Sequence, residues 1–378
     1  MSARVYVLAA GRSIIAPRGG ALSYFDDAAL GVSLIHELLK DAQISPDDLG
    51  ALIVGNALAA GGNPARRLGL ALGLGDQTMS LTVDSQCCSG LDAIGMGMAL
   101  IGSGAQQLVI AGGVESASRA PLRQWLPRDS KPGWQQAPFT PWPDDDPDMV
   151  RAALMLAKVR GIDLKQQYDW AIRSHRLAKQ KTDKSLKSLV GLPVDMDPHA
   201  RLLTDVICHR AERVKPHNPT TMAPIADGGA FLILASEGYL KQRLAQREAP
   251  LSVVELCSHT AIAGDYQLPG LACALLKPWL VDQLGRQGLS QADLKVELME
   301  SFAAQAIANE TDLALRSAEV NAWGGMLACG HPVGASGAVL AARLCYRLNP
   351  GECGLAVIPA AGGLASGLFV RCHSSAFI

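Results

Sequence analysis

Residues 83–95 read VDSQCCSGLDAIG: an apolar run, two adjacent cysteines, Ser-Gly, then small and apolar residues at helical spacing. The pattern is a strand turning into a helix, with Cys87 and Cys88 at the corner. If the helix begins near Ser89, the first thiol sits at its N-terminus, where unsatisfied N–H groups and the helix dipole favour an anion. A thiol so placed is expected to have a depressed pKa and to be a better nucleophile at neutral pH. The small residues Ser89, Gly90, Ala93, Gly95 and Gly97 let something approach that helix closely. Cysteine is equally at home as a small core residue, and the stretch alone suits that reading as well.

The stretch has an echo. QCCSGLDAIGMGMAL (86–100) followed by LVIAGGVESAS (108–118) is matched by GHPVGASGAVLAARL (330–344) followed by LAVIPAAGGLASG (355–367). Each pair has a turn bearing a reactive residue, a helix of small residues and a strand ending near Gly-Gly. This predicts two similar βα halves stacked on each other. In the second half the corner residue is His331, with Pro332 fixing the backbone after it. A lone histidine is ordinarily structural. A Cys and a His on equivalent corners of stacked halves would, however, meet at their interface as an activated nucleophile.

Working outward, strand-like ARVYVLAAGRS, helix-like DDAALGVSLIHELLKDAQIS, strand-like LGALIVGNAL and helix-like NPARRLGLALGL precede the opening stretch. Such alternation predicts a mostly parallel sheet with helices packed on it. After Pro121 the character changes. Residues 121–150 are rich in Pro and Trp and hold PWPDDDPD, read as a solvated turn, and helix-like sequence runs from about 150 to 182. GGAFLILAS (228–236) returns to the sheet, YLKQRLAQRE (239–248) is a polar helix, and a second αβ unit starts near residue 250.

The chain has 378 residues, 49% apolar, with a formal net charge of −1. That length suits two domains or one large α/β unit. The balanced charge argues against nucleic acid or an anionic membrane as partner. No apolar run approaches the ~20 residues of a membrane span, and the N-terminus lacks a signal-peptide pattern. Nine cysteines without framework spacing read as reduced thiols in a cytoplasmic protein, and none has metal-ligand spacing.

These motifs, in this order, resemble the thiolase family. VYVLAAGRSIIAPRGGALS looks like its N-terminal strand and turn, and GNPARRLGLALGL like its NPAR helix. CCSGLDAI stands where the family has C-[GS]-S-G-L-Q-A, and AGGVESASRAP is close to AGG-x-E-x-M-S-x-x-P. ELMESFAAQAIA corresponds to N-E-A-F-A-A-Q, and NAWGGMLACGHPVGASG to N-x-x-G-G-x-x-A-x-G-H-P-x-G-A-S-G. The resemblance covers essentially the whole chain. It implies α/β class, the thiolase fold: two similar βαβαβαββ halves in a five-layered αβαβα sandwich with an inserted loop domain. The expected boundaries are 1–120 with 221–249 for the N-terminal half, 121–220 for the loop domain and 250–378 for the C-terminal half. It further implies an acyltransferase acting on acyl thioesters, in the manner of 3-ketoacyl-CoA thiolases and acetyl-CoA acetyltransferases. Cys87 would be the acylated nucleophile and His331 its activator. The backbone N–H groups of Cys87 and Ala361 would form an oxyanion hole, and Cys88 would be a packing residue. Met149, Ala223, Ile225 and Phe302 would line the substrate. The substrate would be a coenzyme A thioester or an acyl-carrier protein, with no tightly bound cofactor and no metal, and the chain would be a homodimer or tetramer.

The sequence departs from the family at telling places. Pro359 stands where a second catalytic Cys moves the proton, with Ala361 at the following glycine. Proline has no titratable group. Met299 replaces the Asn (or His) that donates to, or fixes a water on, the second thioester oxygen, and losing one such donor typically costs ~3 kcal/mol. Val150 replaces a Gly, Leu154 and Met155 replace Glu-Asn, and Ala223 stands where a serine often meets the pantetheine. These changes imply a more apolar pocket, with coenzyme A held differently or replaced by a carrier-protein arm. Three readings stay open: a thiolase-like acyltransferase; a decarboxylative condensing enzyme or non-thiolytic acyl transferase; and a weakly catalytic subunit that binds an acyl thioester.

Overall fold

The structure, a computed structural model, describes residues 3–126, 133–187, 196–214, 218–245 and 252–374. The strands are β1 (Val5–Arg12), β2 (Ala16–Pro17), β3 (Ala51–Gly55), β4 (Met79–Val83), β5 (Leu108–Ser116), β6 (Ala226–Ser236), β7 (Ser252–Ala263), β8 (Leu294–Leu298), β9 (Glu319–Val320), β10 (Cys353–Ala360) and β11 (Leu364–Ser374). The helices are α1 (Asp27–Ala42), α2 (Pro64–Ala71), α3 (Ser89–Gly102), α4 (Met149–Arg160), α5 (Leu164–Gln180), α6 (Asp205–Val214), α7 (Glu237–Ala245), α8 (Lys277–Gln287), α9 (Ala303–Asp312), α10 (Met326–Cys329) and α11 (Ser336–Arg347). Residues 246–248 of the expected polar helix lie outside the described residues.

The duplication read from the echo is present in the strand order, β4-β3-β5-β6-β1-β7-β11-β10-β8-β9. Leaving aside the short β2, each half places its third, second, fourth, fifth and first strands side by side. The halves meet where β1 pairs with β7, Val5 to Val7 against Leu256 to Val254. The sheet is mixed rather than mostly parallel. β3–β4, β3–β5, β8–β10 and β8–β9 are parallel, whereas β1, β6, β7 and β11 pair antiparallel with their neighbours. The cause lies in the connections. β10 turns straight back into β11 through Gly362 and Gly363, both at φ +77°, which a tight reversal needs and an L side chain resists. β5 returns as β6 only after the long excursion that carries α4, α5 and α6.

Burial alternates along the strands and builds five layers. In β3, Leu52 and Val54 face the outer helices α1 and α2, while Ala51 and Ile53 face a central layer. In β10, Leu355 and Val357 pack toward α8 and α9, while Ala356 and Ile358 face the same central layer. That layer is α3 and α11. Strands buried on both faces read as continuous apolar runs, as these do. The result is an αβαβα sandwich whose two corner motifs face each other.

The central helices cross almost backbone to backbone. A Cβ on Gly337 would lie 2.7 Å from the Leu91 amide nitrogen, and one on Gly90 would lie 2.9 Å from the Ala338 nitrogen and the Gly334 oxygen. Backbone cannot swing aside as a side chain can. Gly337→Ala is therefore expected to cost about 2 kcal/mol of stability by overpacking, read as a lowered urea midpoint.

Buried charges tie the excursion to the core. The Arg12 guanidinium bonds Asp183 at 2.7 Å and Asp197 at 2.8 Å, and Arg343 bonds Asp183 at 2.7 Å. The two cations hold the Asp183 carboxyl well below the usual carboxylate range. This brings the chain after α5 back onto β1 and α11, so that α4 and α5 are held over the second half.

Candidate active site

The turn before α3 is pinned by its own side chains. Ser89 Oγ donates to the Gln86 carbonyl at 2.5 Å and accepts the Ser85 N–H at 2.9 Å. Gln86 is left-handed at φ +57° and its N–H is taken by Asp84 Oδ1 at 3.0 Å. A single 3₁₀ turn, Gln86–Cys88, thus presents the two thiols in different directions. Cys87 opens on a cavity. Cys88 is buried, with its thiol donating to the Ile358 carbonyl at 3.4 Å.

His331 reaches the same point from the other half. Its Nε2 lies 3.2 Å from Cys87 Sγ and its Nδ1 2.6 Å from Ser336 Oγ. An Nδ1–H donated to Ser336 leaves the Nε2 lone pair facing the thiol. The His331 backbone is fixed as an added bridge beside Ile225: its N–H donates to Pro224 O at 2.8 Å and its carbonyl accepts from Ala226 N–H at 3.0 Å. Behind it, Glu115 at the end of β5 accepts the N–H groups of Gly334 (2.8 Å), Ala57 (3.0 Å) and Leu58 (3.0 Å). One carboxyl therefore locks the histidine loop of one half to the β3 loop of the other.

The expected depression of the thiol pKa is overturned. Burial among apolar atoms pushes Cys87 up to about 12, although the N–H groups of Ala361 and of Cys87 itself point at the sulfur and pull the other way. Desolvation outweighs the helix terminus because α3 starts two residues later and, among the described residues, no cation holds a thiolate there. Burial lowers His331 to about 4. The resting pair is neutral thiol and neutral imidazole, so the proton moves only as the sulfur attacks. Burial and the neighbouring Asp27 push Glu115 up to about 8. An acylation rate measured across pH should thus be flat from about pH 5 to about pH 8, without a thiolate limb between them. A rate rising tenfold per unit across that window would mean attack by the trace of free thiolate and would contradict removal of the proton by His331 during the attack.

The cavity measures about 660 Å³ and is mostly apolar. The structure places Cys87, His331, Pro359, Ala361, Met149, Ala223, Ile225 and Phe302 on its wall. Met299 is elsewhere: it is 0% exposed, packed in the central core, with its carbonyl accepting from Gln305 Nε2 at 3.0 Å. Of PWPDDDPD, Asp146 and Asp148 reach the cavity but are structurally engaged. Asp146 accepts the N–H groups of Phe139 and Thr140, and Asp148 caps α4 through the Arg151 N–H. Among the described residues no His, Cys, Asp and Glu group could hold a metal ion. Ser336 and Glu115 were not singled out in the sequence, although both lie inside motifs quoted from it; Ser336 follows His331 by five residues.

A two-halved αβαβα sandwich with a cysteine and a histidine meeting between the halves defines a class of acyl-transferring proteins. The chain belongs to the thiolase family: residues 5–206 match the thiolase N-terminal domain and residues 270–372 the thiolase C-terminal domain. It is 30% identical over 389 residues to a putative acetyl-CoA C-acetyltransferase VraB of Staphylococcus aureus (strain MW2), covering 97% of this chain and 98% of that one. It is 31% identical over 356 residues to the protein of that name from Staphylococcus epidermidis, covering 90% and 91%. Among solved structures, the Acat5 thiolase of Ascaris suum in complex with coenzyme A superposes with a TM-score of 0.85 at 26% identity, covering 97% of this chain and 99% of that one. The Bacillus anthracis acetyl-CoA acetyltransferase gives 0.84 at 27% identity, covering 98% and 99%. No helix among the described residues is long and apolar enough to cross a membrane.

Proposed function

We propose that the protein transfers an acyl group from a pantetheine thioester, coenzyme A in the first instance, through an acyl–Cys87 intermediate. The observation that carries this is the 3.2 Å approach of His331 Nε2 to Cys87 Sγ on the wall of an apolar cavity. As the sulfur attacks the thioester carbon, Nε2 takes its proton. The N–H groups of Cys87 and Ala361 receive the developing oxyanion. The C–S bond to the donor breaks, and the proton passes from Nε2 to the departing thiolate. The acidic and apolar lining includes no Lys or Arg among the described residues, so the walls suit the acyl–pantetheine arm rather than its phosphates. Residues 121–220 act as the domain that covers this arm, between the halves 1–120 with 221–249 and 250–378. The relatives named acetyl-CoA C-acetyltransferase support the same donor class. Nine free thiols suit a reducing, cytoplasmic setting, and we take the assembly to be a homo-oligomer.

Pro359 favours a second step other than thiolysis. It lines the cavity where the family pattern has a proton-moving cysteine, and offers no proton. A malonyl-type acceptor would generate its carbanion by losing CO₂ and needs no base there. The test is discharge of a preformed acyl–Cys87 by coenzyme A or by malonyl-CoA, followed by intact-protein mass. Faster discharge by malonyl-CoA, with CO₂ released, is expected; faster discharge by coenzyme A would overturn the decarboxylative step.

A further inference from the structure

The acyl–enzyme reaction proposed above needs a donor for a second oxygen, and the cavity wall indicates which residue supplies it. When malonyl-type thioester loses CO₂, the electron pair passes onto its thioester oxygen as an enolate. The enolate carbon then attacks the acyl carbon, the C–S bond to Cys87 breaks, and the thiolate takes a proton from solvent by way of His331. The enolate oxygen requires a hydrogen-bond donor in a site that excludes water. The N–H groups of Cys87 and Ala361 are already committed to the acyl oxygen. The neutral His331 ring has a single N–H to offer, and while that points from Nδ1 to Ser336 its Nε2 presents only a lone pair. Met299 is turned into the core and Pro359 has no donor.

Ser301 carries the one hydroxyl among the described residues on the wall. It stands where the family pattern has alanine, in MESF against N-E-A-F. Its backbone is held on both sides: the Ser301 N–H donates to Gln305 Oε1 at 3.1 Å, and its carbonyl accepts the Ala223 N–H at 2.9 Å. Phe302 beside it bridges to Met222. Gln305 is itself clamped, its Nε2 donating to Met299 O and to Asn309 Oδ1. The fixed backbone leaves the hydroxyl one rotatable bond, χ1, by which to reach the oxygen. The other polar side chains on the wall are spent or peripheral. Asp146, Asp148 and Gln305 are bonded within the fold, and Gln136 comes from the excursion rather than from a core element. We propose that the Ser301 hydroxyl is a catalytic donor to the thioester oxygen of the second substrate, replacing the side chain lost at Met299.

The proposal predicts a split between the two half-reactions. Cys87 would be acetylated with acetyl-CoA, the donor removed, and the adduct discharged with malonyl-CoA, each step followed by intact mass. Ser301→Ala should load within about twofold of the natural chain but discharge about 100-fold more slowly, the usual loss for one oxyanion donor. Ser301→Thr, which keeps the hydroxyl, should retain most of the discharge rate and serves as the test if the alanine variant fails to fold. Equal discharge by all three proteins, or equal slowing of loading and discharge, would overturn the role. Failure of the natural chain to load at all would instead overturn the acyl–Cys87 reading and the role of Ser301 with it.

Discussion

Replacing His331 with alanine is expected to slow acylation of Cys87 about 1000-fold at pH 7, within the range that general-base catalysis supplies. The reason is the state of the thiol. With its pKa pushed up to about 12, Cys87 holds almost no thiolate at neutral pH. The sulfur cannot attack until a base takes its proton, and Nε2 at 3.2 Å is placed to do so. The burial that lowers His331 to about 4 guarantees that the imidazole is unprotonated and ready. The variant also strands the Ser336 hydroxyl, so a modest stability loss is expected alongside. Quenched-flow mass spectrometry with acetyl-CoA would measure the rate. An adduct formed at an undiminished rate would mean that some other group removes the proton.

Pro359→Cys is expected to raise cleavage of acetoacetyl-CoA by coenzyme A at least about 100-fold over the natural chain, the low end of a general acid–base contribution. Position 359 lies on β10 opposite Ala365 and faces the cavity that holds Cys87 and His331. A thiol there would be the proton carrier that the natural residue cannot be. The backbone is already extended and paired, so the substitution restores an N–H without moving the strand. A steady-state assay of acetoacetyl-CoA loss reads the gain directly. No gain would mean that the missing proton carrier at position 359 is not what limits thiolysis.

Much of this architecture is written in local sequence. The two corners are legible because each has the same parts: a turn bearing the reactive residue, then Ser-Gly opening a helix of small residues, which lets α3 and α11 touch through Gly90 and Gly337. The order of the strands in each half follows from the repeat. The antiparallel pairings were not legible, because β5 and β6 are neighbours in space across more than a hundred residues of chain. The direction of the thiol shift was also out of reach. Helix position can be read along the chain, but the desolvation of Cys87 is created by walls contributed by β10, the 301–305 segment and the excursion. Glu115 and Ser336 lie in plain view within AGGVESAS and GHPVGASG. Their partners, however, are fixed only when one half closes on the other. A thioether at Met299 has no N–H or O–H to donate, yet nothing local tells that this side chain packs into the core and leaves the cavity wall to Ser301.

Everything above depends on Cys87 being a live nucleophile, which intact-protein mass reads without further assumptions. The natural chain and Cys87→Ala would be incubated with acetyl-CoA, and separately with longer acyl-CoAs, and their intact masses recorded. One acyl group gained by the natural chain and none by the variant is expected. No gain with any donor, or an equal gain in both proteins, would contradict it.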